Sequence, residues 1–215
     1  MDKLQNIPFP EANKGIVTAL QLADQYMISG DFNSGEDALA RLKITFSQGI
    51  SLCQLRAKKM EQAAFIALAE QVIPLAHQFS AKILLNGTPD LLKWLPSADG
   101  IQLASSAVFD YDSRPIAKDK LLGVSTHNRA EIEQALKIGA DFILLSPVKE
   151  TSSHPDMTGM GWQAFAEMVE FIPVPVFALG GVTEEDLSLA KQAGAQGVAA
   201  ISAFWPSLQE TEKAQ

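Results

Sequence analysis

Short apolar or β-branched runs recur along the whole chain, and a stretch with helical spacing follows before the next run begins. The runs lie at Tyr26 to Ser29, Ser51 to Leu55, Lys82 to Asn86, Gly100 to Leu103, Leu121 to Ser125, Phe142 to Ser146, Val176 to Leu179 and Gly197 to Ile201. Between them, Ala63 to Phe79 keeps apolar residues at helical spacing, and Arg129 to Ile138 does so behind Asn128, a capping residue with Glu131 three positions on. Glu184 to Gln192 repeats the pattern behind Thr183, and Gly139 and Gly194 mark the helix ends. Eight such units in 215 residues suit a closed barrel of eight parallel strands, each followed by a helix, at the compact end of its size range. An open doubly wound sheet is the rival. It predicts a glycine-rich fingerprint after the first strand with an acidic residue about 20 positions on, and Tyr26-Met-Ile-Ser-Gly-Asp-Phe does not supply it. The expected fold is therefore α/β, a single-domain (β/α)8 TIM barrel over residues 23–207. Residues 1–22 form an N-terminal extension or linker, and 208–215 a polar C-terminal tail.

The charge balance narrows the partners. Seventeen Lys and Arg against 25 Asp and Glu give a net charge of -8, which argues against nucleic acid, where affinity comes from many cations. The single Cys53 rules out an intramolecular disulfide and any multi-thiolate metal site, and fits a reducing compartment. The opening MDKLQNIPFPEANKG lacks a signal peptide's apolar core, and runs such as Phe142-Ile-Leu-Leu fall far short of the roughly 20 residues that span a bilayer. A cytoplasmic protein without a membrane partner is expected.

Barrel chemistry gathers at the C-terminal ends of the strands, and in this chain those ends are polar. Gln54, Arg56 and Lys58 follow strand two at alternating positions, so at strand spacing they face one way, into the mouth if Gln54 does. Two cations there in an acidic protein point to an anionic ligand or to acidic partners at the rim. Asn86 ends strand three, Gln102 strand four, and Ser125-Thr126-His127 strand five. His127 is a general-base candidate or a capping and packing histidine. Thr151, Ser152, Ser153 and His154 occupy the loop after strand six, where neighbouring hydroxyls can donate to a phosphate. Gly180-Gly181 after strand seven and Ile201-Ser202 after strand eight lie where many barrels cup a phosphate on backbone N–H groups. The glycine pair suits an ordinary tight turn equally well. Three scattered histidines, His77, His127 and His154, without matched carboxylates make no metal site.

Taken in order, QLRAK, LLNG, GVSTH, SPVKETSSHPD, ALGGV and GVAAISAFW resemble the thiamine phosphate synthase and thiazole tautomerase family over about residues 26–205. The phrases LLNG, SHPD, GW and ALGG are also similar to the synthase-like domain found fused to Nudix hydrolases. The resemblance implies a barrel that binds phosphorylated thiazole or pyrimidine small molecules. In a synthase the thiazole displaces pyrophosphate from a pyrimidine, with magnesium holding the leaving group. By the same resemblance Gln54, Arg56, Lys58 and Asn86 serve the pyrimidine and pyrophosphate end, together with the Ser125 hydroxyl. Thr151 and Ser153 match the threonine pair of the strand-six loop, and Gly181, Ile201 and Ser202, beside Gly180, match the phosphate cup. The departures fall on the metal and leaving group: Asn86-Gly87-Thr88 replaces an Asn-Asp-Arg, Gln102 a histidine, Ala104-Ser105-Ser106-Ala107 an acidic stretch, and His154 a lysine. Loss of both carboxylates should weaken magnesium severely, so no cofactor is expected unless synthase activity is retained. Three readings stay open: a tautomerase with His127 as its catalytic residue, a residual synthase, or a non-catalytic ligand-binding module partnering a Nudix hydrolase. Family members often form homodimers.

Overall fold

The computed structural model describes residues 22–151 and 158–207. Eight strands, β1 (Gln25–Ile28), β2 (Leu52–Leu55), β3 (Lys82–Asn86), β4 (Gly100–Leu103), β5 (Leu121–Thr126), β6 (Phe142–Leu145), β7 (Val176–Leu179) and β8 (Gly197–Ala200), close into one barrel. Each pairs in parallel with the next, and Met27 sits opposite both Cys53 on β2 and Ala200 on β8. Parallel neighbours need a crossover between them. The crossovers carry α1 (Gly35–Ser47), α2 (Gln62–Gln78), α3 (Leu91–Trp94), α4 (Arg129–Lys137), α5 (Gly161–Val169) and α6 (Leu187–Gln192). Of the proposed domain boundaries, all of the N-terminal extension except Leu22 and the whole C-terminal tail lie outside the described residues.

The expected strands are present with ends shifted by about one residue. Ser29, Ser51, Ser146 and Ile201 fall just outside the ladders. The expected caps form: Asn128 accepts from the Glu131 N–H at 3.0 Å, and Thr183 and Asp186 make a capping box. One helix is corrected. The stretch expected as continuous from Glu184 to Gln192 begins with a 3-10 turn over Glu184–Asp186, and α6 starts only at Leu187. α1, α3 and α5 were not among the expected helices, yet α1 carries a helix signature. Ser34 accepts from Asp37 N–H, and Ala38, Leu42, Thr45 and Phe46 fall on the buried face at three- and four-residue spacing.

Alternation along each strand divides the core into two layers. Met27, Cys53, Leu55, Ile83 and Leu85 face outward into the helices, whereas Tyr26, Leu52, Leu84, Phe142, Leu144 and Phe177 fill the barrel. Tyr26, Phe142 and Phe177 meet edge-on or tilted, with centroids 5.5–5.7 Å apart, and plug the interior. Cys53 is fully buried, and burial raises its thiol pKa. It should therefore react with a disulfide reagent only after unfolding. Stoichiometric labelling of the native protein within minutes would contradict this placement.

Two residues, Trp205 and Arg41, fix the seam between β8 and β1 beside the mouth. Trp205 donates its indole N–H to the Asp31 carbonyl at 3.1 Å. Arg41, nearly buried on α1, pairs with Asp37 at 2.7 Å, donates to the Pro206 carbonyl at 2.7 Å and lies over the Trp205 ring. The segment after β8 is thus held against α1 and the loop after β1, with Gly30 packed on Ile201 and Trp205. Among the described residues no helix is long and apolar enough to cross a membrane.

Candidate functional site

A cleft of about 590 Å³ opens at the C-terminal ends of the strands. Seven of the residues expected there line it: Arg56, His127, Thr151, Gly180, Gly181, Ile201 and Ser202. They arrive from five different strand ends, so only the closed barrel brings them together. Ser153 and His154 lie outside the described residues.

Arg56 directly follows the last residue of β2. Ser29 clasps its backbone from the neighbouring strand: the hydroxyl donates to the Arg56 carbonyl at 3.0 Å and accepts from its N–H at 2.7 Å. The guanidinium is half-buried, and no described carboxylate pairs with it within ion-pair distance. Burial pushes its pKa below the usual arginine value, partly opposed by the charge of Asp31. A desolvated cation facing a cleft favours an anionic ligand. Lys58 feels this charge, for its pKa is lowered first by Arg56 and then by burial. The expected common direction of Gln54, Arg56 and Lys58 needs correcting. The strand ends at Leu55, so the two-residue alternation stops there, and Lys58 sits in an exposed turn and does not line the cleft.

Gln54 and Ser125 belong instead to a hydrogen-bonded chain inside the barrel. The Gln102 amide bridges Tyr26 Oη at 3.1 Å and Ser125 Oγ at 3.2 Å, and Gln54 Nε2 approaches the same phenol at 3.5 Å. Burial raises the Tyr26 pKa, keeping the phenol protonated within that chain. Asn86 Nδ2 reaches the Gln102 carbonyl at 3.5 Å. These polar groups satisfy one another, as buried polar groups must.

His127 follows β5 and heads the turn into α4, where its backbone N–H donates to Glu131 at 2.6 Å. Its Nδ1 lies 2.8 Å from the Ser146 carbonyl oxygen. A carbonyl only accepts, so Nδ1 carries the proton and Nε2 is the basic nitrogen of the neutral ring. The ring is therefore fixed in one tautomer at the edge of the cleft.

The opposite wall is built by the glycine pair. Gly180 and Gly181 have φ of +94° and +65°, which a side chain rarely adopts. A Cβ at Gly181 would land on the Glu150 carbonyl oxygen and come within 2.8 Å of Lys149 Cβ. The glycines are thus demanded by the turn and by the close approach of the loop after β6, and they also leave backbone exposed to the cleft. The N–H groups of Gly181, Val182 and Ser202 take no part in the backbone hydrogen bonding among the described residues, so unspent donors lie at residues that line the cleft.

Two carboxylates, Asp31 and Glu150, line the cleft, neither at the strand ends that the resemblance gives to magnesium. Asn86-Gly87-Thr88 and Ala104-Ser105-Ser106-Ala107 place no carboxylate at the ends of β3 and β4, and among the described residues no three Asp, Glu, His or Cys side chains converge. Sequence reasoning missed Ser29, Gly30, Asp31, Glu150 and Thr183. The Ser29-Gly30-Asp31 run after β1 was open to the same strand-end reading used elsewhere, whereas Glu150 and Thr183 line the cleft only because the loops after β6 and β7 pack together.

Comparison with known proteins agrees with this architecture. The family model described as thiamine monophosphate synthase matches residues 25–204. The thiamine-phosphate synthase of Geobacillus kaustophilus is 33% identical, covering 83% of each chain. That of Bacillus licheniformis is 31% identical, covering 85% of this chain and 84% of its own. Among solved structures, thiamine phosphate pyrophosphorylase from Pyrococcus furiosus superposes with a TM-score of 0.70 at 21% identity, over 88% of this chain and 90% of its own, a likeness of fold.

Proposed function

The chain belongs to the thiamine monophosphate synthase family, and from that premise we propose that its cleft binds a phosphorylated carboxythiazole and interconverts its tautomers, with His127 moving the proton. The observation that carries this reading is the convergence of His127, the half-buried Arg56 and the Gly180–Gly181 and Ile201–Ser202 turns in one cleft. A cationic side chain on one wall and unspent backbone donors on the other suit a ligand with two anionic groups, a carboxylate and a phosphate. His127 Nε2 accepts a proton from one position of the heterocycle and returns it at another while the double bonds shift, so no atom is gained or lost. Thr151, and Ser153 by resemblance, add hydroxyl donors on the phosphate side.

Two observations favour this reading over the two-substrate synthase. The strand ends that the resemblance assigns to magnesium carry no carboxylate, and Gln54 and Ser125, assigned to the pyrimidine and pyrophosphate end, are engaged with Tyr26 and Gln102. The same observations favour a second reading, a phosphorylated-ligand-binding module without turnover that partners a Nudix hydrolase.

The test is to incubate purified protein with carboxythiazole phosphate, with and without magnesium, and follow tautomer conversion. A parallel reaction supplies thiazole phosphate and the pyrimidine pyrophosphate and follows thiamine phosphate. Conversion independent of magnesium, without thiamine phosphate, is the expected outcome. Magnesium-dependent thiamine phosphate formation would replace the tautomerase by the synthase. Silence in both reactions leaves the binding module, which calorimetric titration with thiamine phosphate and co-purification with a Nudix hydrolase then decide.

A further inference from the structure

The loops after β6 and β7 are joined well beyond the strands themselves. Val148 N–H donates to the Leu179 carbonyl at 2.9 Å and Lys149 N–H to the Gly180 carbonyl at 3.0 Å. The Lys149 side chain then reaches Asp186 at 2.7 Å. Asp186 is mostly buried, and its other carboxylate oxygen accepts from the Thr183 N–H at 2.9 Å within the capping box. Thr183 and Gly181 line the cleft, and the stem of Lys149 packs where a Gly181 Cβ would stand. A carboxylate in this place repels an anionic ligand unless a cation accompanies it.

We propose that the Lys149–Asp186 ion pair is a positioning latch that holds the loops after β6 and β7 together as one wall of the cleft and cancels the Asp186 charge beside the backbone donors. Lys149 touches no reacting atom in this scheme; it acts through Asp186 and the glycine turn. Asp186 cannot simply be apolar, because its second oxygen caps the turn that Thr183 begins. The latch therefore lets one carboxylate serve the backbone without opposing a bound phosphate. Its binding consequence rests on the reading of the cleft given above, whereas its mechanical consequence does not.

The experiment has two arms. In the first, calorimetry compares thiazole phosphate with the unphosphorylated thiazole alcohol on wild type, Lys149→Met, Lys149→Arg and Lys149→Met/Asp186→Asn. Lys149→Met should weaken the phosphorylated compound roughly ten-fold, the scale of one uncompensated charge nearby, and leave the alcohol unchanged. Lys149→Arg should retain wild-type affinity, and the double variant, which has lost the opposing carboxylate too, should recover most of the loss. Equal weakening of both compounds, or no recovery in the double variant, overturns the charge-cancelling role. In the second arm, hydrogen exchange of the unliganded proteins is read at the bonded amides of the join, those of residues 148, 149 and 183. Lys149→Met should exchange several-fold faster there than wild type, with β7 itself unchanged, and identical exchange overturns the latch. If wild type binds neither compound, it is the proposed function that fails, and the exchange arm still decides whether the latch exists.

Discussion

His127→Asn protein is expected to interconvert carboxythiazole phosphate tautomers about 100- to 10,000-fold more slowly than wild type, the usual range for deleting a general acid–base group, while binding the compound within about two-fold. The choice of asparagine follows from the geometry. Its side-chain N–H can replace the Nδ1–H that faces the Ser146 carbonyl at 2.8 Å, so the local hydrogen bond survives and only the basic nitrogen is lost. The backbone contact from residue 127 to Glu131 is independent of the side chain, and α4 keeps its Asn128 cap. A fall in kcat with unchanged KM therefore reports chemistry, and a matching loss of affinity would show that the imidazole binds ligand instead. Unchanged turnover would remove His127 from the reaction altogether.

The barrel was legible because the apolar run is repeated eight times, with a cap residue and a glycine stop marking two of the helices between, and each of these signals is local and needs no knowledge of the rest of the chain. The site was legible in part for the same reason. A residue at the C-terminal end of a parallel strand is aimed at the mouth by the strand itself, which is how Arg56, His127, Gly180, Gly181, Ile201 and Ser202 came together in one cleft. Lys58 shows where that logic stops, since alternation holds only while the chain stays in the sheet, and β2 ends at Leu55. Gln54 and Ser125 show a second limit. Strand position says that a side chain points inward but not whether another inward side chain reaches it first, and here Tyr26 and Gln102 do. Lys149 and Asp186 are 37 residues apart, and only the packing of two loops makes them neighbours.

Gly181→Ala should bind thiazole phosphate about 100-fold more weakly than wild type. That figure corresponds to losing about one to two charge-assisted hydrogen bonds from backbone N–H groups. Two separate effects produce it. The backbone at residue 181 has φ of +65°, a conformation costing about 1 kcal/mol or more once a Cβ is present. The added methyl would also fall on the Glu150 carbonyl oxygen, and since that atom is backbone, only movement of a whole loop relieves the overlap. Movement of the loop after β6 against the loop after β7 is what separates the donors on the two sides of the turn. Gly49→Ala supplies the control, because Gly49 has φ of +96° but open space around the methyl position and takes no part in lining the cleft. It should lose a similar amount of stability from backbone strain, seen as a lower urea midpoint, and none of its affinity. If Gly49→Ala loses stability and keeps its affinity while Gly181→Ala loses both, the glycine pair acts on the ligand through wall geometry. Full affinity in Gly181→Ala would place the phosphate elsewhere in the cleft, beside Arg56 or the Ser202 turn.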